Sequence, residues 1–108
     1  MPTETTDVGP DVRRALIRPL GYTGTLAAVS GGRVRPTPLG VSLPCGYGYH
    51  VEIDYNVGPD AYTVRRVFIR RGERFVKGEV SHVYVDALPE TVYRAGMFRD
   101  PWPAGGAK

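Results

Sequence analysis

Three side chains that could perform acid–base or metal chemistry lie at alternate positions of one short segment. His50, Glu52 and Asp54 are each separated by one residue, which places them on the same face of a β-strand. An imidazole and two carboxylates can share a proton or bind a divalent metal. Nearby arginines offer the carboxylates a simpler partner, so we expect no catalytic residue, no metal and no cofactor at this position.

The single cysteine, Cys45, could act as a nucleophile together with His50 and an aspartate. No family signature surrounds it, and one cysteine with two histidines occurs by chance in chains of this length. A thiolate metal site would need more cysteines than the chain has. We therefore interpret Cys45 as an ordinary loop residue and expect no enzyme. A small metal- or acid–base-dependent enzyme is the third and weakest functional hypothesis.

A run of basic and aromatic residues is the best candidate for a binding surface. Between Arg65 and Lys77 there are six cations and one anion, Glu73. Arginines with interleaved aromatic rings on a small β-surface can bind single-stranded nucleic acid by stacking and phosphate contact. Alternatively, the cations pair with nearby carboxylates and the rings pack in the core. The candidate residues are Arg65, Arg66, Phe68, Arg70, Arg71, Arg74, Phe75 and Lys77.

These side chains need a β-sheet to position them, and residues 49–85 predict one. Residues 49–57 alternate apolar and polar side chains without an error, as a half-buried strand does. After a turn at Gly58-Pro59 the alternation slips by one residue at Arg65-Arg66, which predicts a β-bulge there. A two-residue turn at Gly72-Glu73 leads into a third strand. The prediction is a three-stranded antiparallel meander.

The apolar faces of these strands also predict a register, because cross-strand partners must share a face. On the opposite face, Glu52 is expected to lie beside both Arg65 and Arg66. The expected apolar pairs are Tyr55–Tyr62, Ile53–Val64 and Val51–Val67 in the first hairpin, and Ile69–Val76, Val67–Gly78, Val64–Val80 and Tyr62–His82 in the second.

The segments outside the meander contain shorter signals. A helix is predicted at residues 11–20, and a second one near 87–97, after an N-capping aspartate. Residues 22–29 favour a strand. Prolines in residues 33–41 allow an extended segment that is at most an edge strand. Residues 43–48 are predicted to be a loop.

One domain is all that 108 residues allow. The predicted fold class is mainly β, with α+β as the alternative: a small antiparallel sheet or partly open barrel built on the meander, with a short C-terminal helix. Residues 1–10 and 101–108 are polar or rich in Pro, Gly and Ala, so they are predicted to be flexible tails. Residues 11–100 would then form a single β-rich domain.

Composition also bears on where the protein works. No apolar run approaches the roughly 20 residues that span a membrane, and the N-terminus does not have the pattern of a signal peptide. A single cysteine rules out an internal disulfide and fits a reducing compartment. We therefore predict a cytoplasmic protein without a membrane partner.

Three stretches of the chain resemble small uncharacterised proteins of actinobacteria and their bacteriophages. They are YTVRRVFIR at residues 62–70, FVKGEV at 75–80 and FRDPW at 98–102. The resemblance covers roughly the C-terminal half. It implies a short cytoplasmic accessory protein from such a source, and it transfers no activity and no site residue.

Taken together, the residues predict a small non-enzymatic protein that binds another macromolecule. The net charge is only +3, and Glu52 and Glu79 flank the position where the cations concentrate. Both facts favour a protein partner, or self-association as a homodimer, over nucleic acid. The alternative hypothesis is a nucleic-acid-binding β module that uses the Arg-rich strand.

Overall fold

The computed structural model describes residues 7–103, which form an α+β fold that is mainly β. This confirms the predicted fold class. The helices are α1 (Gly9–Tyr22), α2 (Thr25–Ser30) and α3 (Leu88–Gly96). The strands are β1 (Arg35–Thr37), β2 (Gly40–Gly46), β3 (Tyr49–Asn56), β4 (Ala61–Arg70) and β5 (Glu73–Val83).

The five strands form one open antiparallel sheet in the order β1-β2-β3-β4-β5. Each strand pairs with its neighbour in sequence, so short turns are enough to connect them. β1 and β5 are therefore the two edges of the sheet. The helices pack on one side, which we call the helix-covered face; the other side is the open face.

The core lies between the helices and the helix-covered face. Alternate residues of β2, β3 and β4 point into it, as the period-two pattern of residues 49–57 predicts. Burying such side chains is the main stabilising contribution, at about 0.8 kcal/mol per methylene group. The largest fully buried side chains of this cluster are Leu16, Leu20, Val41, Leu43, Val51, Ile53, Val64, Leu88 and Val92.

The meander predicted at residues 49–85 is confirmed, but the predicted position of its bulge is wrong. β3 and β4 pair without any shift. Two shifts lie instead between β4 and β5, and the extra residues belong to β5: Lys77 in one, and one of Ser81 and His82 in the other. The sequence slips at Arg66 because this charged residue occupies a position on the helix-covered face.

This misplaced bulge explains the errors in the predicted register. Glu52 lies opposite Arg65 alone, not beside both arginines. The confirmed pairs are Tyr55–Tyr62, Ile53–Val64 and Val64–Val80. The remaining pairs are wrong by one or two residues, and the observed ones are Val51–Arg66, Ile69–Arg74, Val67–Val76, Arg66–Gly78 and Tyr62–Val83.

The turn between β4 and β5 also lies one residue earlier than predicted. It consists of Arg71 and Gly72, because Arg70 and Glu73 form the last cross-strand pair. Arg71 has φ 54° and Gly72 has φ 81°, and two positive values are what a type I′ turn requires. Such a turn matches the twist of the two strands that it joins.

The N-terminal half departs most from the sequence prediction. Residues 22–29 are not a strand, because helix α2 begins at Thr25, directly after Gly24 in the left-handed conformation. The predicted loop at 43–48 is also largely wrong, since β2 continues to Gly46. Proline is tolerated at Pro44 because β1 pairs with β2 only as far as Ser42, so no neighbour on that side needs its missing N–H.

Both predicted helices are confirmed, and the folded domain extends beyond both ends of the range 11–100. The backbone N–H of Val8 donates to Pro38 O at 2.8 Å. Trp102 is only 9% exposed and packs over Gly78 of β5, so it belongs to the domain. The remainder of the predicted tails, residues 1–6 and 104–108, lies outside the described residues.

Candidate binding surface

The eight residues predicted to form one basic and aromatic surface lie in three separate places. Successive residues of a strand point to opposite faces, so Arg65 lies on the open face and Arg66 on the helix-covered face. Arg74 joins Arg65 on the open face. The other five lie toward the β4–β5 turn: Phe68, Arg70, Arg71, Phe75 and Lys77.

Arg65 is the centre of an ion-pair cluster on the open face. Its guanidinium donates to Asp54 at 2.6 Å and to Glu79 at 2.9 Å, and it lies 3.7 Å from Glu52. Arg74 donates two hydrogen bonds to Glu52, and this hydrogen bonding raises the pKa of Arg74. Three carboxylates thus surround two cations, and this part of the open face offers no excess positive charge to a phosphate.

The same cluster contains Glu52 and Asp54, the two carboxylates considered with His50 for acid–base or metal chemistry. The three residues do lie on one face of β3, but both carboxylates are engaged by arginines. Burial, followed by the charge of Arg35, lowers the pKa of His50. Within residues 7–103, no three His, Cys, Asp or Glu side chains form a group that could hold a metal ion.

Cys45 lies in strand β2 rather than in a loop. Its Sγ is 3.4 Å from Leu43 O, to which it donates. Burial raises the pKa of the thiol to about 11, so the thiol stays protonated at neutral pH. Because the thiolate is the nucleophile, these surroundings suppress reactivity.

Arg66 is a buried structural residue and therefore does not belong to an exposed binding surface. It is 5% exposed and stacks over the ring of Trp102, with its guanidinium carbon 5.8 Å from the ring centre. Burial lowers the pKa of Arg66. The guanidinium donates to four backbone carbonyls at and beyond the end of α3, those of Arg94, Ala95, Met97 and Asp100, at 2.7–3.2 Å. Helix C-termini leave such carbonyls without intrahelical partners, so Arg66 caps α3.

A chain of five aromatic rings crosses the helix-covered face next to the β4–β5 turn. Neighbouring ring centres are 6.4 Å apart for Phe75 and Phe68, 5.0 Å for Phe68 and Tyr49, 4.5 Å for Tyr49 and Phe98, and 5.9 Å for Phe98 and Tyr47. The sequence prediction contained only Phe68 and Phe75. Tyr49 could have been found from its position at the start of the first meander strand, whereas Tyr47 lies in the turn before that strand.

Four cations lie on the segments that carry this aromatic cluster or next to them in sequence. The guanidinium carbon of Arg99 lies 5.7 Å from the centre of the Phe98 ring. The others, Arg70, Arg71 and Lys77, are exposed. None of the four forms an ion pair with another residue in the part of the chain that the structure describes.

The β5 edge is the second exposed feature of this region. Ile69 N–H donates to Gly48 O at 2.8 Å, toward β3, so the pair of Ile69 with Arg74 is not hydrogen-bonded. In antiparallel strands the polar groups of such a residue point away from its partner. The backbone N–H and C=O of Arg74, and by the same alternation those of Val76, therefore point out from the sheet.

This edge carries an exposed apolar side chain on each face of the sheet, together with the charged Glu73, Arg74 and Lys77. Residues 73–77 are all exposed. Phe75 is 43% exposed and lies beside Phe68, whereas Val76 is 48% exposed and lies beside Val67 on the open face. We call residues 73–77 the free edge of β5.

Comparison with known proteins finds no matching family model, no matching curated protein and no matching solved structure. Among residues 7–103 there is no helix with the length and apolar character needed to cross a membrane. Hypotheses about function therefore rest on the geometry of the free edge and the aromatic cluster.

Proposed function

We propose that this protein is a non-enzymatic binding protein whose partner is another protein, which adds a β-strand to the free edge of β5. The observation that supports this proposal is an 11-residue edge strand with outward-pointing backbone groups and exposed Phe75 and Val76. In strand addition, backbone hydrogen bonds supply affinity and alternate side chains supply specificity.

The bulges of β5 also limit where a partner strand could pair. Proteins commonly blunt edge strands with bulges, because a bulge interrupts regular pairing. In β5 the first bulge lies at Lys77, so it leaves a regular stretch of four residues, 73–76, between the turn and the bulge. A partner strand of that length has one defined place to pair.

The proposal is tested by the variant Val76→Pro. Val76 lies in a pair that is not hydrogen-bonded to β4, so proline removes the outward N–H and leaves the β4–β5 ladder intact. Val76→Ala is the matched control, because it removes the side chain and keeps the N–H. A partner captured from cell extract should be purified and recombined with each form.

We expect the partner to bind the wild type and Val76→Ala, and to protect the amides of Arg74 and Val76 from hydrogen exchange. Binding to Val76→Pro should be lost while its far-ultraviolet circular dichroism is unchanged. Equal binding to Val76→Pro, or protection confined to other strands, would show that strand addition at β5 is wrong.

A second candidate function is single-stranded nucleic acid binding, and the aromatic cluster is the observation that favours it. Bases stack on exposed rings with about 1–3 kcal/mol each, and the four cations without ion pairs could contact phosphates. Tyr49 and Phe98 already stack on each other, with an interplanar angle of 9°, which leaves fewer ring faces for bases. This is why we rank it second.

The two candidates are separated by titrating fluorescent oligodeoxythymidine and oligouridine with the protein. Nucleic acid binding would weaken steeply with salt, because phosphate contacts release counterions, and Phe75→Ala would weaken it further. Negligible binding at physiological salt is expected if the cluster serves protein contact. Submicromolar binding that depends on salt would reverse our ranking.

The setting that we propose is the cytoplasm, with an accessory role in an actinobacterium or one of its bacteriophages. The single cysteine supports the location, because it fits a reducing compartment. The resemblance of residues 62–70, 75–80 and 98–102 to small uncharacterised proteins of actinobacteria and their bacteriophages supports the source and the accessory role. Immunodetection of the protein in fractionated cells would test the location.

A further inference from the structure

We infer that the strand added to β5 is β5 of a second copy of this chain, paired antiparallel about a two-fold axis at Phe75. This inference rests on the proposed strand addition and names its partner. The resulting dimer would join two five-stranded sheets into one continuous sheet through residues 73–77 of each copy.

Backbone geometry restricts the possible registers. In an antiparallel pair, two residues that exchange hydrogen bonds must both point their polar groups toward the other strand. On the free edge these are Arg74 and Val76. Three two-fold registers satisfy this condition: Arg74 opposite Arg74, Val76 opposite Val76, or Arg74 of each copy opposite Val76 of the other.

The third register is the one that the sequence favours. The first would place like charges of Arg74 directly opposite each other, which is destabilising. The second would extend across the bulge at Lys77, where regular pairing ends. The third pairs residues 73–77 and ends at Lys77 without crossing the bulge, with Phe75 on the axis and facing Phe75 of the second copy.

The charges of the free edge are self-complementary in this register. Glu73 of each copy lies opposite Lys77 of the other. Both residues are exposed, and neither takes part in an ion pair with any residue from 7 to 103. Opposite charges across strands stabilise a pairing, and like charges oppose it, so the same two residues that select this register disfavour shifted ones.

The apolar side chains add contacts on both faces of the sheet. Phe75 already contacts Phe68, with ring centres 6.4 Å apart, so the two Phe75 rings would connect the aromatic clusters of both copies. On the open face, Val76 would lie beside the aliphatic part of Arg74. Five residues per copy form a small contact by the standard of stable interfaces, so the dimer should dissociate on dilution.

Sedimentation velocity of the full chain over a wide concentration range tests the inference. The wild type should change from monomer to dimer as concentration rises. Lys77→Glu and Glu73→Lys should each raise the dissociation constant about tenfold or more, since by symmetry each change affects two pairs. The double variant Glu73→Lys with Lys77→Glu should return to within about threefold of the wild type.

Val76→Pro should be monomeric at every concentration, whereas Val76→Ala should retain dimerisation. A wild type that stays monomeric throughout would refute the second copy as partner, while capture of another protein that depends on Val76 N–H would preserve strand addition. A dimer insensitive to both the charge reversals and Val76→Pro would use another surface and would also refute the inference. If neither a dimer nor a partner forms, both proposals are wrong.

Discussion

Arg65 and Arg66 are neighbours on β4, yet the structure gives them opposite surroundings. The side chain of Arg65 is 22% exposed and lies among three carboxylates on the open face. Arg66 lies among four backbone carbonyls and the ring of Trp102 on the helix-covered face. The difference shows that strand alternation, rather than residue type, decides whether an arginine serves the surface or the fold.

The two arginines should also differ in how much they stabilise the protein. Ion pairs that water still reaches contribute about 0–1 kcal/mol each. The carbonyls around Arg66 carry no formal charge, but the end of a helix concentrates partial negative charge. Two of them, Arg94 O and Met97 O, also accept a backbone N–H, whereas Arg66 is the side-chain donor to all four. Arg66 also connects β4, the end of α3 and the segment that leads to Trp102, so its removal affects three parts of the fold.

The largest loss in the free energy of unfolding is therefore expected for Arg66→Met. Methionine keeps an apolar side chain next to Trp102 but removes the Arg66 donor from Ala95 O and Asp100 O and the second donor from Arg94 O and Met97 O. The cost is about 1–3 kcal/mol for each group that is left buried without a partner. We expect the free energy of unfolding to fall by about 3 kcal/mol or more in urea denaturation. Arg94→Met is the matched control, because Arg94 makes an exposed helical pair with Glu90 worth about 0.3–0.5 kcal/mol. Equal losses for the two variants would contradict the capping role.

The next largest loss of stability is expected for Gly78→Ala, which disturbs the packing of the same region from β5. An added Cβ would overlap the carbonyl oxygen of Trp102 and lie 2.8 Å from Cε3 of its ring. Such overpacking costs about 1–3 kcal/mol, and it would move Trp102 away from Arg66. Gly58→Ala is the control, since its Cβ would meet no atom within 4 Å. Fluorescence of Trp102, the only tryptophan in the chain, should shift to longer wavelength in Gly78→Ala alone.

The surroundings of these two arginines also explain which parts of the fold could be predicted from the sequence. The meander was predictable because β3 has one face in the core and one in solvent, which produces an unbroken alternation of side chains. The bulge was misplaced because Arg66 breaks that alternation on β4. Its partners lie 28–34 residues away, so no local pattern could distinguish a buried cap from a surface charge.

Two other errors have similarly non-local causes. Helix α2 was predicted as a strand because Thr25 and Val29 favour β-structure, but Val29 packs against the core and Gly24 and Gly31 reverse the chain at either end. Tertiary contacts override weak propensity in so short a segment. Likewise, Phe98 follows α3 in sequence, and only the fold brings it to the aromatic cluster.

Arg65→Met should lower the free energy of unfolding by less than Arg66→Met does, by about 1–2 kcal/mol at up to about 1 kcal/mol per pair, because it leaves Asp54 and Glu79 without their cation. The effect should also depend on salt. Raising ionic strength from about 0.01 M to 1 M shortens the Debye length from about 30 Å to 3 Å, which weakens interactions between partly exposed charges. We expect the cost of Arg65→Met to shrink over this range while that of Arg66→Met stays constant. A similar salt dependence for both would contradict the distinction between the two faces.

The smallest predicted effect is on the pH dependence of the free energy of unfolding. We expect it from a residue of the open face and not from Arg66 on the helix-covered face. His50 lies on the open face, where burial and then the charge of Arg35 lower its pKa below the usual 6.5, with Glu52 acting in the opposite direction. The unfolded chain therefore binds a proton at His50 at a higher pH than the folded chain does. The stabilisation from neutral His50 is fully present above pH 6.5 and is lost as pH falls through the lower, folded-state pKa.

His50→Gln should accordingly lose less stability than the wild type as pH falls below about 6.5, while the two curves run parallel above it. The measurement is the free energy of unfolding in urea at a series of pH values. Arg66→Met is the control and should keep the wild-type slope, because the backbone carbonyls that Arg66 contacts do not titrate. If His50→Gln also keeps it, proton binding at His50 does not contribute to the pH dependence of the open face.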